Sequence, residues 1–514
     1  MGSTFNGIEV AKRAMYAQQS ALYTTGHNIS NANTPGYSRQ RVNFEQTAPY
    51  PPASRNRPEI PGQVGSGVEA GTIERVRESF LDAQFRGENT KAGYWSTKAE
   101  ALQKMEEIMN EPSKNGLSKT MDQFWQSLQD LAVNPEDSGA RSVVRQRGVA
   151  VAETFNYLSS SLKGIQSDFK NQINVTTKEI NSIATQINNI NNQIGEIEPH
   201  GYLPNDLYDE RDRLVDELST LADIKVTSVS SGESSLKIAE GKYKIHIVGN
   251  DGKDLFSGTS LVDPSSGSVN ALSLTEDGVK DSVDTISLGG TTIDADKFTS
   301  TGKFQSLVEA HGYEDENGNG NEAGLYPGML TELDNMAYTF AEEFNKVHKS
   351  GESLHEIDNS GSPDIAFFKE GIARDGFASN MEVSQKIMNS VSNIAAASTE
   401  AKGDGDNALN LAAVGSTNLD YDNTGSASDF TSYYEGVIGE MAVQSQEARR
   451  LEGNSETLKQ SVEERRQSVS GVSLDEEMSN MIKYQHAYNA AARNLTTIDE
   501  MLDKVINGMG RVGR

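Results

Sequence analysis

The chain has no cysteine in its 514 residues. No disulfide, cysteine-liganded metal or thiol nucleophile can form. The absence fits either a reducing cytosol or an exported protein that travels unfolded. No stretch approaches the roughly 18 consecutive apolar residues that a membrane-crossing helix needs. Met1 to Ser20 lack the apolar core of a signal peptide. A chain with this N-terminus that leaves the cell is expected to use some route other than the ordinary cleaved signal. Basic residues are in short supply. There are 74 acidic and 46 basic side chains, a net charge of −28. Such a balance disfavours nonspecific nucleic-acid binding, which needs a basic face, and docking on anionic membranes. Apolar side chains are also few, 35% against the ~45–50% usual in globular chains, a figure that includes glycine. Thin domains, or surface buried only on assembly, would account for the deficit. The length allows several domains of ~150 residues.

What is present begins at the ends. Leu474, Met481, Tyr488, Leu495, Leu502 and Met509 recur every seven residues. Tyr484, Ala491, Ile498 and Val505 flank them on one side, and Met478, Gln485, Ala492, Asp499 and Ile506 on the other. A row sustained this far is a coiled-coil signature. Ser473 and Glu476 fit a capping box at its start. The helix would run about 50 Å at 1.5 Å per residue. Its stripe is wider than a two-stranded seam needs, which predicts contact with more than one helix. The N-terminus offers a partner. Ile8, Met15, Leu22 and Ile29 also recur every seven residues, among Ala11, Ala14, Ala17 and Ala21. Such small residues admit another helix closely. Both rows are candidate assembly helices, because either helix alone is marginal in water. The alternative is a long helix packed on its own domain.

The N-terminal pattern stops at Asn31-Ala32-Asn33-Thr34-Pro35-Gly36-Tyr37. Pro35 ends the helix and pushes Thr34 to extended geometry. Pro35-Gly36 suits the centre of a type II turn. The asparagines have two readings. Their side chains bond local backbone at a helix stop, or Asn28, Asn31 and Asn33 present amides to a neighbouring subunit.

A second helical region runs from about Arg75 to Asp223, broken near Pro112, Pro135 and Pro199-His200-Gly201. Within it, Ile173, Ile180, Ile187 and Ile194 form one seven-residue row, and Thr176, Ile183, Ile190 and Ile197 the next. That seam predicts a long antiparallel helix pair or bundle. Asp206 to Ala222 reads as a further amphipathic helix. After Lys225 short alternating segments appear: Ser235–Ala239, Tyr243–Val248, Leu272–Leu274 and Thr285–Ile293. Turn signals such as Asn250-Asp251-Gly252 and Gly289-Gly290 separate them. Helix returns from Tyr326 to Val347. Gly351 to Asp375 reads as loop or hairpin. Further helices are expected at Ser379–Ile394, Asn407–Val414 and Asp429–Gln467. The expected fold is multidomain α plus β. Residues 1–70 with 471–514 form a terminal coiled-coil domain, and 71–225 with 326–470 a helical bundle made by both chain halves. Residues 226–325 form a small inserted β-rich domain.

The segment Gly26-His27-Asn28-Ile29-Ser30-Asn31-Ala32-Asn33-Thr34-Pro35-Gly36-Tyr37-Ser38-Arg39 resembles the signature of bacterial flagellar rod, hook and hook-associated proteins. Asp206-Leu207-Tyr208-Asp209-Glu210-Arg211-Asp212, followed by Leu214-Val215-Asp216-Glu217-Leu218-Ser219, resembles the hook-associated protein 1 family. So do Asn134-Pro135 with Arg141, Phe344-Asn345-Lys346-Val347-His348, Asp406-Asn407-Ala408-Leu409, and Ser470 to Glu477 with Tyr484, Gln485 and Tyr488. The resemblance spans nearly the whole chain outside about 226–325. It implies a structural subunit rather than an enzyme, placed in a ring between hook and filament in the extracellular flagellum. It also implies contacts with other copies, hook protein and hook-associated protein 3. Export would use the flagellar type III apparatus, with a chaperone holding the C-terminal helix beforehand.

Other sites fall away. Asp315 to Gly320 matches the first six positions of a calcium loop, but position twelve is Tyr326 instead of Glu. The seven histidines form no His-Glu-x-x-His, so no metal is expected. Gly65-Ser66-Gly67 and Gly318-Asn319-Gly320 lack a following Gly-Lys-Ser/Thr, and no Gly-x-Ser-x-Gly elbow exists. No cofactor is expected. Two other readings stay open: another axial flagellar subunit such as hook protein or flagellin, and a surface adhesin or enzyme acting through the β region.

Overall fold

The structure is a computed structural model that describes residues 4–50, 55, 62–109, 116–276, 282–315, 322–359, 364–422 and 424–508. The chain opens with helix α1, Thr4–Ser30, then strands β1, Gln40–Gln46, and β2, Val68–Arg75, which pair antiparallel. Between α1 and β1 the Tyr37 N–H donates to the Thr34 carbonyl at 3.2 Å, and Gly36 has φ of +80°. This is the type II turn the sequence predicts.

Four helices follow: α2 Ser79–Met109, α3 Leu117–Val133, α4 Ser138–Ile197 and α5 Asn205–Leu221. The breaks near Pro135 and Pro199-His200-Gly201 are present, and Pro112 lies outside the described residues. The Asp137 carboxylate caps α4 by accepting from the Gly139 and Ala140 amides.

The β region holds two small sheets. Strands β3 Ile224–Val229, β4 Lys242–Ile247, β5 Val262–Asp263 and β6 Ser268–Val269 pair in that order. The second sheet contains β7 Leu272–Glu276, β8 Val283–Leu288 and β9 Thr291–Asp294. Helix α6, Lys303–His311, precedes its last strands, β10 Tyr313–Glu314 and β11 Glu322–Ala323. The β8–β9 hairpin turns at Gly289-Gly290, both at positive φ. Ser235–Ala239 is not the strand expected. It is a run of turns with Leu236 and Ile238 exposed, so its alternation buries nothing.

Helix α7, Leu325–Ser350, leads to β12, Glu352–Ser353, and α8, Leu354–Asn359. Next come α9 Phe377–Asn380, α10 Gln385–Asn389, β13 Ala395–Ala397, α11 Asp406–Ala413, α12 Phe430–Ser470 and α13 Leu474–Gly508. Two expectations need correction. Of the loop or hairpin expected at 351–375, residues 364–375 are loop, whereas β12 pairs with the distant β13 instead of within a hairpin. Ser379–Ile394 is not one helix. The Ser384 N–H donates to the Phe367 carbonyl, and the Lys369 N–H to the Glu382 carbonyl, so this segment is held extended between α9 and α10.

The helices pack across the two chain halves. Helix α2 runs antiparallel to α12: Glu106 pairs with Arg449, and the Arg466 guanidinium lies 4.4 Å from the Phe85 ring centroid. Phe124, Phe340, Phe344, Phe367 and Phe368 meet where α3, α4 and α7 converge. The isoleucine seam of α4 is buried from Ile173 to Ile194. Along its length α4 packs against α5, α6 and strands of both β-region sheets, among other elements. Asn181 exchanges bonds with the Leu272 backbone at 2.7 and 2.8 Å, and Asn191 with Tyr243 at 2.8 and 2.9 Å. Asparagine amides between the isoleucines thus satisfy strand backbone groups that an apolar helix face would leave unpaired.

His348 sits buried at the end of α7. Its Nδ1 donates to the Ile365 carbonyl at 2.8 Å, and its Nε2 accepts the Ala395 N–H at 3.0 Å. Only the neutral ring can do both. Burial lowers its pKa from 6.5 to about 4, and the nearby Arg141 cation adds to this. The unfolded chain therefore takes up this proton first as pH falls. The stabilisation is complete above about pH 6.5 and shrinks by about 3 kcal/mol on acidification to pH 4. In urea unfolding across that range, a His348→Gln variant should show a weaker dependence on pH than the natural chain. Equal slopes would refute the assignment.

Candidate functional site

The terminal helices α1 and α13 lie antiparallel. Ile498 fills the space beside Gly7, where an added Cβ would stand 3.0 Å from its Cδ1. Near the other end of α1, Asn28 meets Glu477. The apolar residues of α1 that become buried are Ala11, Ala17 and Ala21. The larger heptad residues Ile8, Met15, Leu22 and Ile29 are half-buried at the flank. On α13, Met481, Tyr488 and Leu495 are half-buried, Leu502 is buried, Leu474 is exposed, and Met509 lies outside the described residues. The pair therefore forms within one chain and leaves apolar surface on both helices. Phe5, Tyr16, Tyr23, Met478, Ile482 and Met501 all stand exposed.

The signature motif ties this pair to the strands. Asn28 is only 1% exposed. Its Nδ2 donates to the Gln40 carbonyl at 2.8 Å and to Glu477 Oε2 at 3.1 Å. Its Oδ1 accepts the Gln40 N–H at 2.9 Å and the Tyr37 hydroxyl at 2.8 Å. Burial and the charges of Asp209 and Asp206 push the Tyr37 phenol well above its ordinary pKa, so it stays a donor. Asn31 donates to the His27 carbonyl at 3.1 Å, Ser30 bonds the Gly26 carbonyl, and Thr34 donates to Asn31. Asn33 and Pro35 are exposed. Asn31 therefore makes the local bonds of a helix stop, Asn28 is turned inward toward α13, and Asn33 faces out.

Arg39 continues the connection. It donates to Glu477 at 2.8 Å and to Glu476 at 2.7 and 3.0 Å, and its N–H donates to the Ser470 carbonyl at 2.8 Å. This revises the capping box. Ser473 accepts the Glu476 amide at 3.5 Å, but the Glu476 carboxylate turns to Arg39 instead of back to its own helix. Replacing Asn28 with alanine should cost about 2–3 kcal/mol, because it strips partners from buried groups. Hydrogen exchange would read the loss as faster exchange at the Glu477 amide. Unchanged protection there would show that the bonds are dispensable.

Below the motif lies a buried ion network that joins the pair to the body. Arg75 reaches Asp209 at 2.7 Å and Asp212 at 2.9 Å. Arg77 binds Asp82 at 2.7 Å and reaches Asp212 at 3.4 Å. Arg86 reaches Asp212 at 3.1 Å and Asp216 at 2.7 Å, and Arg466 of α12 closes on Asp216 at 2.6 Å. The Ser38 N–H donates to Asp209 at 3.0 Å. Burial alone would raise the Asp212 pKa, but Arg77, Arg75 and Arg86 outweigh it and hold the carboxyl far below the usual range. At Asp209 burial prevails and the pKa rises. Sequence reading missed this network. Its one local sign is that Asp209, Asp212 and Asp216 share a face of α5 by their spacing. Their partners come from β2, α2 and α12, which no local pattern connects.

The arrangement can hold a two-helix arm at a fixed angle to a large body. Among the described residues no group of three or more His, Asp or Glu could hold a metal. No helix there is long and apolar enough to cross a membrane. Of the calcium-like loop, 316–320 lie outside the described residues.

Comparison with known proteins adds the following. A family model described as the flagellar hook-associated protein FlgK helical domain matches residues 102–368. Models of the flagella basal body rod protein and of the flagellar basal body rod FlgEFG protein C-terminal match residues 8–37 and 465–508. Flagellar hook-associated protein 1 of Bacillus subtilis (strain 168) is 45% identical over 519 residues, covering 100% of both chains. The Escherichia coli (strain K12) protein of the same name is 25% identical, over 97% of this chain and 99% of its own. A solved structure, the flagellar hook junction protein FlgK from Burkholderia pseudomallei, is 19% identical with a TM-score of 0.43, covering 57% of this chain and 47% of that one.

Proposed function

The chain belongs to the flagellar hook-associated protein 1 family, structural proteins of the flagellar axis, and we propose that it builds the junction between hook and filament. The observation that carries this reading is the terminal helix pair, which leaves apolar rows on both members uncovered. The same two segments match the rod-protein models. Copies of the chain associate through the pair into a ring. Hook protein binds on one side and hook-associated protein 3 on the other.

The chain reaches the outside of the cell through the flagellar type III apparatus and works extracellularly at the hook–filament junction. Exposed apolar rows are an aggregation hazard before assembly. A chaperone covering α13 in the cytoplasm removes it. Absence of cysteine suits passage as an unfolded chain. Residues 1–70 with 471–514 act as the assembly unit, 71–225 with 326–470 as the body, and 226–325 as an inserted β-rich unit packed on the seam of α4. No step of catalysis is assigned, in keeping with relatives named as structural proteins.

Labelling tests the placement. Ser266 is exposed in the β5–β6 connection, and Ser266→Cys gives the chain a single thiol. Gold attached there should appear as one band at the distal end of the hook. Label spread along the hook or the filament would assign the chain to those structures instead.

A further inference from the structure

The helix pair leaves two uncovered rows, and they differ in kind. On α1, Phe5, Tyr16 and Tyr23 are 67%, 58% and 70% exposed. Spacings of eleven and seven residues put them on one line of the helix. That line points away from Ala17 and Ala21, which are buried. Lys12 sits along the line, its ammonium 5.8 Å from the Tyr16 ring centroid, and Gln19 donates to the Tyr23 hydroxyl at 3.1 Å. The line runs into a groove of about 660 Å³ lined by Tyr23, Ile73, Ile197, Leu203 and Leu207. On α13, Leu474, Met478 and Ile482 are 48%, 57% and 53% exposed, spaced by four residues, with Asp475 beside them. Both rows stay exposed although α1 and α13 already pack on each other, so neither covers the other within one chain.

Resting on the reading that this pair is the assembly element, we infer that the aromatic line of α1 receives the Leu474, Met478 and Ile482 row of a neighbouring copy. The lengths agree. Tyr16 to Tyr23 spans about 10 Å and Leu474 to Ile482 about 12 Å at 1.5 Å per residue. The chemistry agrees as well. A thioether packs favourably against aromatic edges, and tyrosine brings a large rigid face while its hydroxyl stays wet. Charge is complementary, with Lys12 on the aromatic side and Asp475 on the other. The contact joins two different patches, so every copy offers one and accepts one. Such a heterologous contact closes into a ring or continues as a helix, whereas a self-complementary contact stops at a dimer.

The absence of cysteine makes the test clean, since introduced thiols are the only ones in this chain. Full-length Tyr16→Cys and Leu474→Cys chains are mixed on isolated hooks that lack this protein and are then mildly oxidised. The expected result is a disulfide-linked dimer in the mixture and none with either variant alone. A second pair, Tyr23→Cys with Ile482→Cys, should behave the same way, which covers a failure of one variant to fold. Electron microscopy reads attachment to hooks separately. Attachment with no mixed dimer from either pair, or with dimers from a single variant, overturns this contact and leaves the junction reading standing. A mixed dimer without attachment supports the contact and counts against the junction. Neither attachment nor a mixed dimer overturns both.

Discussion

Asp212→Asn is expected to lower the stability of the body by about 3–5 kcal/mol, the usual cost of removing one partner from a buried ion group. Asp212 is buried among Arg75, Arg77 and Arg86, all within 3.4 Å. Asparagine keeps the shape and removes the charge that offsets three buried guanidiniums. Urea unfolding at neutral pH should show an earlier midpoint with a similar slope. The dependence on pH gives a second check. The folded pKa of Asp212 lies below its unfolded value, so its contribution is complete at neutral pH and is lost as pH falls below about 4. The gap between the natural chain and the variant should narrow in acid. A loss under about 1 kcal/mol, the range of an exposed pair, would show that the network is not needed.

Deleting residues 226–325 is expected to prevent the body from folding. Read from sequence, this segment is a small inserted β-rich domain. In the structure it covers the seam of α4, as Asn181 and Asn191 bonded to β7 and β4 make plain. Ile180, Ile183, Ile187 and Ile190 interleave with those asparagines and are buried. Exposing them costs about 1.5–3 kcal/mol each, together about 10 kcal/mol. That equals the whole stability of an ordinary domain, about 5–15 kcal/mol. Circular dichroism and limited proteolysis would show an uncooperative, readily cut chain. Cooperative unfolding with native helix content would mean that the segment is a removable unit after all.

These two cases show where sequence patterns carried the structure and where they stopped. A period of seven revealed that α4 buries one line of isoleucines, but burial does not name its cover. Strands and helices bury the same side chains. The turn at Pro35-Gly36 was legible because two residues dictate it locally. Alternation at Ser235–Ala239 misled because alternation without a face to bury against has no energetic consequence. Ser379–Ile394 misled because pairing with Phe367 and Lys369 overrides its local helical preference. The heptad rows at the ends were legible as apolar lines. Which member of each row faces its partner was not, since alanines on α1 rather than Met15 or Leu22 take the buried positions. The ion network stayed hidden because its arginines and aspartates lie on β2, α2, α5 and α12, and meet only when those elements fold together.

The central claim is that the terminal helix pair joins this chain to the flagellum, and Leu495→Lys tests it most directly. Leu495 lies half-buried on the heptad row of α13, far along the helix from the ion network. On hooks lacking this protein, the natural chain should attach and support filament growth. The variant should unfold in urea at the same midpoint as the natural chain yet leave the hooks bare. Hooks carrying the variant and filaments of normal length would contradict the account.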